Sequence, residues 1–190
     1  MKIAIIGYSG SGKSTLAETL AKRYDIPLLH LDKVHWLPGW QERPREEGRA
    51  MVEAYLDEHP EWVIDGNYSH YCYERRLEEA DRIILMQLPR LQCLFRAWKR
   101  AIQYKNKSRS SITEGCPEKI DGEFIVWILW KGRRKKNREA FRRIAEQYRA
   151  KTIRLTSQQE IDDFAGRDGR GRLEDNYKER TTHVYQHRHQ

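Results

Sequence analysis

The chain has 190 residues, which is enough for one domain with a substantial core. Its 36 Lys and Arg against 28 Asp and Glu leave a formal net charge of +8, which favours anionic partners such as nucleotides, nucleic acid or acidic surfaces. Three widely spaced cysteines fit a reducing cytosol better than a disulfide framework or a zinc site. No stretch resembles a signal peptide or approaches the ~20 apolar residues that span a bilayer, so we expect a cytoplasmic protein without a membrane partner.

The N-terminal stretch predicts a strand, a glycine loop and a helix. Residues 2–6 (KIAII) are typical of a buried parallel strand. Residues 7–15 (GYSGSGKST) fit the phosphate-binding pattern G-x-x-x-x-G-K-[ST], and apolar residues recur at helical spacing at Leu16, Leu20 and Tyr24. Because this is the context that the motif requires, we interpret the loop as a nucleotide-phosphate site.

The chemistry of the loop follows from its residue types. Glycines let successive backbone N–H groups point inward around phosphate oxygens, and the following helix adds its positive end. Lys13 supplies a mobile charge for the outer phosphates, and the Ser14 hydroxyl can ligate Mg²⁺. The nucleotide-binding residues predicted here are Gly7, Ser9, Gly10, Ser11, Gly12, Lys13, Ser14 and Thr15.

An insertion is predicted after the second strand. Residues 26–31 (IPLLHL) predict that strand, which ends in Asp32. The next segment, 33–40 (KVHWLPGW), predicts no regular element, and apolar spacing in 45–58 indicates an amphipathic helix. Residues 33–60 therefore stand where a substrate-binding flap would be inserted.

Three aromatic side chains of this insertion, His35, Trp36 and Trp40, have two equally supported interpretations. They can stack on a base or ring of a substrate. They can also form a hydrophobic cluster that fastens the loop to the surface. His35 is a poor candidate for a metal ligand, because no other histidine or cysteine has ligand spacing.

The middle of the chain continues the alternation of strands and helices. Residues 62–64 (WVI) predict a third strand closed by Asp65, and 72–80 a short charged helix. A fourth strand at 83–88 (IILMQL) is stopped by Pro89, and a helix follows. The large side chains expected in the core, without a chemical role, are Met86, Phe95, Trp98, Trp127 and Trp130.

A polar, irregular segment at residues 105–122 predicts a lid that closes over the phosphates. Arginines near a lid can stabilise the charge of a transferring phosphoryl group. The candidates are Arg109 in the lid, Arg96 and Arg100 before it, and Arg133 and Arg134 after it. Which of them enters the site stays open.

The last part of the chain predicts three more elements. A long helix at 123–149, interrupted by a basic stretch, is followed by a strand at 152–155 and a short helix at 158–165. Residues 167–190 have almost no apolar content and predict a disordered polar tail. The folded domain is therefore expected over residues 1–166.

Alternating strands and helices predict a parallel sheet covered on both faces, whose ligands gather at the carboxyl ends of the strands. Asp32 and Asp65 follow two of these ends. We expect Asp32 to contact the substrate and Asp65 to contact the metal or the substrate, and one of them can orient or deprotonate an acceptor hydroxyl. The alternatives are a loop-tethering carboxylate at Asp32 and a simple Asp-Gly turn at Asp65.

Six motifs carry a resemblance to a known family. They are residues 5–15 (IIGYSGSGKST), 30–32 (HLD) with 37–40 (LPGW), 62–68 (WVIDGNY), 74–76 (ERR), 88–90 (LPR) and 115–119 (GCPEK). Over residues 1–165 the chain resembles bacterial DNA topology modulation proteins, which are similar to adenylate kinases among the P-loop kinases.

This resemblance implies an α/β P-loop NTPase fold of three α/β/α layers with a five-stranded parallel sheet, a short substrate-binding insertion, a short lid, and ATP with Mg²⁺ as ligands. The pair Asp65-Gly66 is similar to the Asp-Gly of adenylate kinases, whose acid lies near the metal. The usual continuation there is Phe-Pro-Arg, whereas this chain continues Asn67-Tyr68-Ser69, which argues against an adenylate acceptor. Asp32 stands where related kinases carry a substrate-binding acid.

The leading hypothesis is a kinase that transfers the ATP γ-phosphate to a nucleoside, nucleotide or other small hydroxylated acceptor. Its predicted catalytic residues are Lys13, Asp32, Asp65, Arg109 and Arg133, with Ser14 and Asp65 at the metal. The alternative is a nucleic-acid-associated ATPase that modulates DNA topology, although no nucleic-acid-binding motif is visible. A third hypothesis is a nucleotide-gated interaction protein that hydrolyses ATP poorly.

Overall fold

The structure is a computed structural model that describes residues 1–104, 108–118 and 120–166. Its strands are β1 (Lys2–Gly7), β2 (Leu28–His30), β3 (Trp36–Leu37), β4 (Gln41–Glu42), β5 (Trp62–Asp65), β6 (Arg82–Met86) and β7 (Thr152–Leu155). Its helices are α1 (Lys13–Tyr24), α2 (Leu31–His35), α3 (Arg45–Glu58), α4 (Tyr73–Glu79), α5 (Arg90–Gln103), α6 (Gly122–Leu129), α7 (Lys135–Gln147) and α8 (Gln158–Gly166). The predicted tail at 167–190 lies outside the described residues.

Five of these strands form one parallel sheet in the order β2-β5-β1-β6-β7. The sheet has helices on both faces, so the predicted three-layer α/β/α fold is confirmed. The Ile-rich β1 lies at the centre, and its residues Ile3 to Ile6 are buried. A strand in that position needs apolar side chains on both faces, which explains the uninterrupted apolar run.

The segment after β2 differs from its prediction. The strand ends at His30, and Asp32 lies in the first turn of the short helix α2 rather than directly after a strand. The segment 33–40, expected to have no regular element, contains the end of α2 and the strand β3, which pairs with β4 in an antiparallel hairpin. The reason is tertiary: Arg43 donates to the Val34 and His35 carbonyls at the end of α2, and Thr113 donates to the Trp36 carbonyl from the predicted lid.

Helix α3 is confirmed despite a glycine in its first turns. Gly48 is buried, and a Cβ at this position would lie 2.6 Å from the ring of Tyr71. The glycine therefore allows the helix to approach the aromatic ring closely, which offsets its poor helix propensity.

Helix α5 is also confirmed, but the side of it that faces the protein is not the predicted one. Phe95 and Trp98 are exposed, whereas the small residues Cys93 and Ala97 are buried. Trp127 and Trp130 are exposed as well, so the expectation of a core position is wrong for these four aromatic residues and correct for Met86. Small side chains let α5 lie close to the glycine loop, and its large side chains then point outward.

The predicted long C-terminal helix is two helices, α6 and α7, separated by a 3₁₀ turn at Lys131–Arg133. The Asp121 carboxylate caps α6 by accepting a hydrogen bond from the backbone N–H of Phe124. None of the helices in the described ranges is long and apolar enough to cross a membrane.

Candidate active site

The glycine loop connects β1 to α1 and requires glycine at three positions. Gly7, Gly10 and Gly12 have φ values of 139°, 77° and 94°. A Cβ on Gly7 would overlap the carbonyl oxygen of Met86, and one on Gly10 would overlap that of Cys93. The loop therefore passes so close to β6 and α5 that no side chain fits at these two positions.

Asn67 holds the beginning of this loop. Its Oδ1 accepts a hydrogen bond from the Gly7 N–H at 2.9 Å, and its Nδ2 donates to the Gly7 carbonyl at 2.5 Å. The backbone N–H of Tyr8 also donates to the Met86 carbonyl at 3.0 Å. Sequence reasoning did not assign Asn67 a role, although its place in the WVIDGNY motif after a strand end was a usable signal.

Lys13 lies across the loop and is partly buried. Its Nζ donates to the carbonyl of Tyr8 at 3.0 Å. Burial lowers the pKa of Lys13, and the nearby carboxylates of Asp65 and Asp32 oppose this shift. The ammonium group is therefore within electrostatic reach of both acids that the sequence singled out.

Asp65 joins the loop to β2. Its Oδ2 accepts a hydrogen bond from Ser14 Oγ at 2.9 Å, and its Oδ1 lies 2.5 Å from His30 Nδ1. Both Asp65 and His30 are buried, and they are paired in register on adjacent strands. Sequence reasoning missed His30, which could have been found as the last residue of a strand that ends at the ligand edge of the sheet.

The residues at this point fit a magnesium ion. Ser14 and Asp65 place a hydroxyl and a carboxylate oxygen beside the loop, and Mg²⁺ in nucleotide sites prefers one or two such protein oxygens together with phosphates and water. In the described part of the chain, no group of three or more His, Cys, Asp or Glu could hold a metal by itself. The donor set therefore suits an ion that arrives with the nucleotide.

Asp32 forms a second centre, held by two neighbours. Tyr68 donates its hydroxyl to Oδ1 at 2.8 Å, and Arg109 donates to Oδ2 at 3.2 Å. Burial and the Asp32 carboxylate raise the pKa of Tyr68, so the phenol stays protonated and remains a donor. The Asp32 side chain is 35% exposed and keeps lone pairs for a further partner. Tyr68 is another residue that sequence reasoning left without a role.

Glu118 connects this centre to α5. Its side chain is only 4% exposed, and its Oε1 accepts a hydrogen bond from Arg100 Nε at 2.7 Å. Its Oε2 lies 3.0 Å from Arg109 Nε, an ion contact whose angle is too poor for a hydrogen bond. Glu118 and Asp32 therefore hold the Arg109 guanidinium between them. The GCPEK motif contained Glu118, but nothing in the sequence indicated that it pairs with Arg100 and Arg109.

Two further predicted arginines lie at the loop itself. Arg96 donates to the Ser11 carbonyl at 2.6 Å. Arg133 donates to the Leu88 carbonyl at 2.9 Å, and its guanidinium lies 3.9 Å above the ring of Tyr8. Two of the candidate arginines, from α5 and from the turn after α6, therefore contact residues of the glycine loop, whereas Arg109 lies at Asp32.

The aromatic residues of the insertion contact one another. His35 and Trp36 meet edge to face at 4.6 Å between ring centroids, and Trp36 meets Trp40 at 5.3 Å. His35 Nδ1 also lies 3.1 Å from the Tyr71 hydroxyl, and burial lowers the pKa of His35. These contacts are those of a cluster that fastens the insertion.

The described part of the predicted lid packs on the insertion. Gly39 N–H donates to the Gly115 carbonyl at 3.0 Å, Cys116 Sγ lies 3.2 Å from the Leu37 carbonyl oxygen, and Trp40 donates to the Pro117 carbonyl at 3.3 Å. An open cavity of about 790 Å³ lies along this segment and includes Arg109 in its lining. Lid residues 105–107 and 119 lie outside the described residues.

The fold and the loop together define the class of fold: three α/β/α layers around a five-stranded parallel sheet, with a glycine loop of the P-loop pattern between the central strand and the first helix. No protein-family model and no curated protein matches the sequence, so the resemblance to DNA topology modulation proteins is not confirmed.

Solved structures with a similar fold include three distant ones. A deoxyadenosine kinase from M. mycoides with dCMP and dCDP bound is 15% identical with a TM-score of 0.45, covering 87% of this chain and 97% of that chain. An uncharacterised protein from Eubacterium ventriosum is 17% identical (TM-score 0.48, 87% and 94% covered), and TT1252 from Thermus thermophilus is 16% identical (TM-score 0.48, 85% and 91% covered). Likenesses this distant carry no information about a substrate.

Proposed function

We propose that this protein is an ATP-dependent phosphotransferase that moves the γ-phosphoryl group of ATP to a hydroxyl of a small acceptor. One observation carries the proposal: two carboxylates in different surroundings, Asp65 at the end of β5 and Asp32 in the first turn of α2, lie at or just after the ends of two paired strands beside the loop that leads to Lys13. Asp65 is hydrogen-bonded to Ser14 at the loop, and Asp32 is bonded to Tyr68 and Arg109 away from it. A phosphoryl-transfer site needs such a donor half and acceptor half side by side.

The donor half neutralises phosphate charge. The loop N–H groups and Lys13 bind the phosphates, and Arg96 and Arg133 add positive potential from one side. Ser14 and Asp65 would hold Mg²⁺, which would offset the negative charge that develops on the phosphates during transfer.

The acceptor half supplies a base. Asp32 takes the proton of the acceptor hydroxyl while the oxygen attacks the γ-phosphorus, and the bond from that phosphorus to the bridging oxygen of ADP breaks. The products are ADP and a phosphate monoester, and the proton on Asp32 passes to solvent. Arg109, already bonded to Asp32, stabilises the charge of the transferring group.

The charges around Asp32 favour an uncharged acceptor such as a nucleoside. Arg109 is shared between Asp32 and Glu118, and Arg100 is paired with Glu118. These four side chains are neutral in sum, with two guanidinium groups and two carboxylates. A phosphate on the acceptor would therefore meet no net positive charge from them and would be repelled by Asp32.

The test is a screen for acceptor-dependent ADP release with nucleosides, nucleotides and small polyols. We expect an uncharged alcohol to stimulate release, and Asp32→Asn to reduce that stimulation by about 10²–10⁴-fold because the general base is lost. Nucleotide affinity of Asp32→Asn should stay within about threefold, since Asp32 lies outside the loop. Lys13→Ala should lose turnover altogether.

Asp57→Asn is the matched control. Asp57 is an exposed acid near the C-terminal end of α3, where it pairs with Arg75 of α4. The variant should keep full activity. Full acceptor-dependent turnover in Asp32→Asn would contradict the proposed acceptor half, and full turnover in Lys13→Ala would contradict the phosphotransferase itself. The DNA-associated alternative rests on the net charge of +8 and on the resemblance to DNA topology modulation proteins, which is not confirmed. It would be favoured if DNA, and no small alcohol, stimulated ADP release.

A further inference from the structure

We propose that the outward face of α5 is the interface of a homodimer. Four apolar residues, Leu91, Phe95, Trp98 and Ile102, form what we name the α5 seam. They are 71%, 60%, 54% and 57% exposed, although each is of a type that normally avoids water. The proposal is independent of the reaction that the protein catalyses.

The spacing of the seam indicates a helix as its partner. Its residues follow one another at intervals of four, three and four, which is the a/d repeat that packs two helices at about 20°. The rings of Phe95 and Trp98 lie side by side with centroids 6.1 Å apart, so the middle of the seam is one continuous aromatic surface.

The exposed surface is large enough for a stable dimer. Helix α6 packs beside α5 and exposes three more apolar residues, Val126, Trp127 and Trp130. With about 200 Å² for each large side chain and about half of it exposed, the seven residues present roughly 700 Å². That exceeds the largest patch of a typical monomer and approaches the ~800 Å² that each partner buries in a standard interface.

The charges beside the seam favour a second copy of this chain. In the heptad frame of the seam, the flanking positions are occupied by Gln92, Leu94, Lys99 and Ala101, with a single charge. Two other basic residues of α5, Arg96 and Arg100, point inward and bond to Ser11 and Glu118. Two such faces can therefore meet without opposing rows of like charge.

The same inward direction of the arginines argues against a lipid surface. A helix that lies on an anionic membrane presents a row of cations beside its apolar face. Of the four basic residues of α5, Arg96 and Arg100 are bonded to Ser11 and Glu118, and Arg90 and Lys99 are exposed, which does not make a row of cations. The chain's own segment 167–190 is also a poor occupant, because its apolar residues are limited to Leu173, Tyr177, Val184 and Tyr185.

A dimer formed in this way would also restrict the movement of the glycine loop. The opposite face of α5 places the Cys93 carbonyl against Gly10 and Arg96 on the Ser11 carbonyl. Fixing α5 through its outer face therefore also fixes one wall of the phosphate loop.

The test is sedimentation velocity on the full chain over roughly 1–100 µM, a range that covers ordinary dimer affinities. We expect a dimer for the wild type and a monomer for Trp98→Glu, with a dissociation constant raised on the order of a hundredfold or more, because Trp98 is at the centre of the seam. Met51→Glu is the matched control, since Met51 is exposed on α3 away from the seam, and it should stay dimeric.

Circular dichroism would check that each variant is folded. Phe95→Ser serves as a second, milder variant of the seam. A chain that ends at Gly166 should remain dimeric. The proposal is overturned if the wild type is monomeric at 100 µM or if both seam variants stay dimeric. It is also overturned if the chain that ends at Gly166 is a dimer while the full chain is a monomer. Binding of the monomeric wild type to anionic vesicles, lost in Trp98→Glu, would assign the seam to a membrane instead.

Discussion

The contact between His30 and Asp65 fixes the orientation of one carboxylate of the candidate site. Asp65 carries out two tasks, because one of its oxygens faces Ser14 and the other faces His30. A carboxylate with one oxygen held in this way cannot rotate freely. Its second oxygen is therefore kept beside the Ser14 hydroxyl, with which it would hold Mg²⁺, as in metal sites whose ligands are oriented by a second residue.

Replacing His30 should weaken metal use more than nucleotide binding. For His30→Gln we expect the Mg²⁺ concentration needed for half-maximal ADP release to rise about 10–100-fold, the usual effect of losing such an orienting partner. The measurement is a Mg²⁺ titration at saturating ATP and acceptor. His59→Gln, on a histidine that contacts the Tyr55 carbonyl at the end of α3, should leave the titration unchanged. An unchanged titration in His30→Gln would show that Asp65 needs no orienting contact.

At the scale of elements, the connection from β5 to α4 depends on one buried arginine. Arg76 is fully buried and donates to the carbonyls of Tyr71 at 2.8 Å and Tyr68 at 2.9 Å. Burial lowers its pKa to about 10. Through these bonds α4 holds the segment that carries Asn67 and Tyr68, and therefore both the loop and Asp32.

Arg76→Lys should destabilise the protein, because a single ammonium group cannot reach the carbonyls that the guanidinium fork satisfies. We expect a loss of about 3 kcal/mol in the free energy of unfolding, the range for a broken buried polar network. Chemical denaturation measures it.

The neighbouring Arg75→Lys is the control for this prediction. Arg75 lies on the same helix but pairs with Glu79 and Asp57 at the surface, where such pairs contribute about 0–1 kcal/mol. Equal losses in the two variants would mean that the buried hydrogen bonds of Arg76 are not what stabilises the segment.

Prediction of elements from the sequence succeeded where periodicity was strong. The five sheet strands and helices α3, α4 and α5 were found because their apolar spacing is local information. The failures have a common cause. Helix α2 and the hairpin β3–β4 receive hydrogen bonds from Arg43 and Thr113, and the buried face of α5 was decided by its fit against the glycine loop. The structure after β2 and the buried face of α5 both depend on contacts with residues outside the short stretches from which elements are predicted.

For the whole molecule, the net charge of +8 is the main argument for nucleic acid. Several basic side chains that produce it are occupied in the site, since Arg96, Arg100, Arg109 and Arg133 all bond to the protein's own oxygens. An electrostatic attraction to DNA from the remaining surface charge would carry no sequence information.

We therefore expect any affinity for duplex DNA to be non-specific and to fall steeply, by about 10³-fold or more between 50 and 200 mM salt if six or more phosphates are contacted. Fluorescence anisotropy over a salt series measures it, with ADP release followed in the same samples. DNA should not stimulate that release. Tight binding that persists at physiological salt and accelerates hydrolysis would favour the DNA-associated alternative.

The sequence by itself determined the glycine loop, the parallel sheet and the positions of Asp32 and Asp65 close to the carboxyl ends of two strands, because motif spacing and apolar periodicity are properties of short stretches. Only the tertiary structure decided what those residues contact: Asn67 on Gly7, His30 on Asp65, and Tyr68 with Arg109 on Asp32. It also decided that α5 buries Cys93 and Ala97 and leaves its aromatic residues in water. The physical reason is the same in each case, since hydrogen-bond partners and close packing are selected by the distance between atoms in space, which chain separation does not encode.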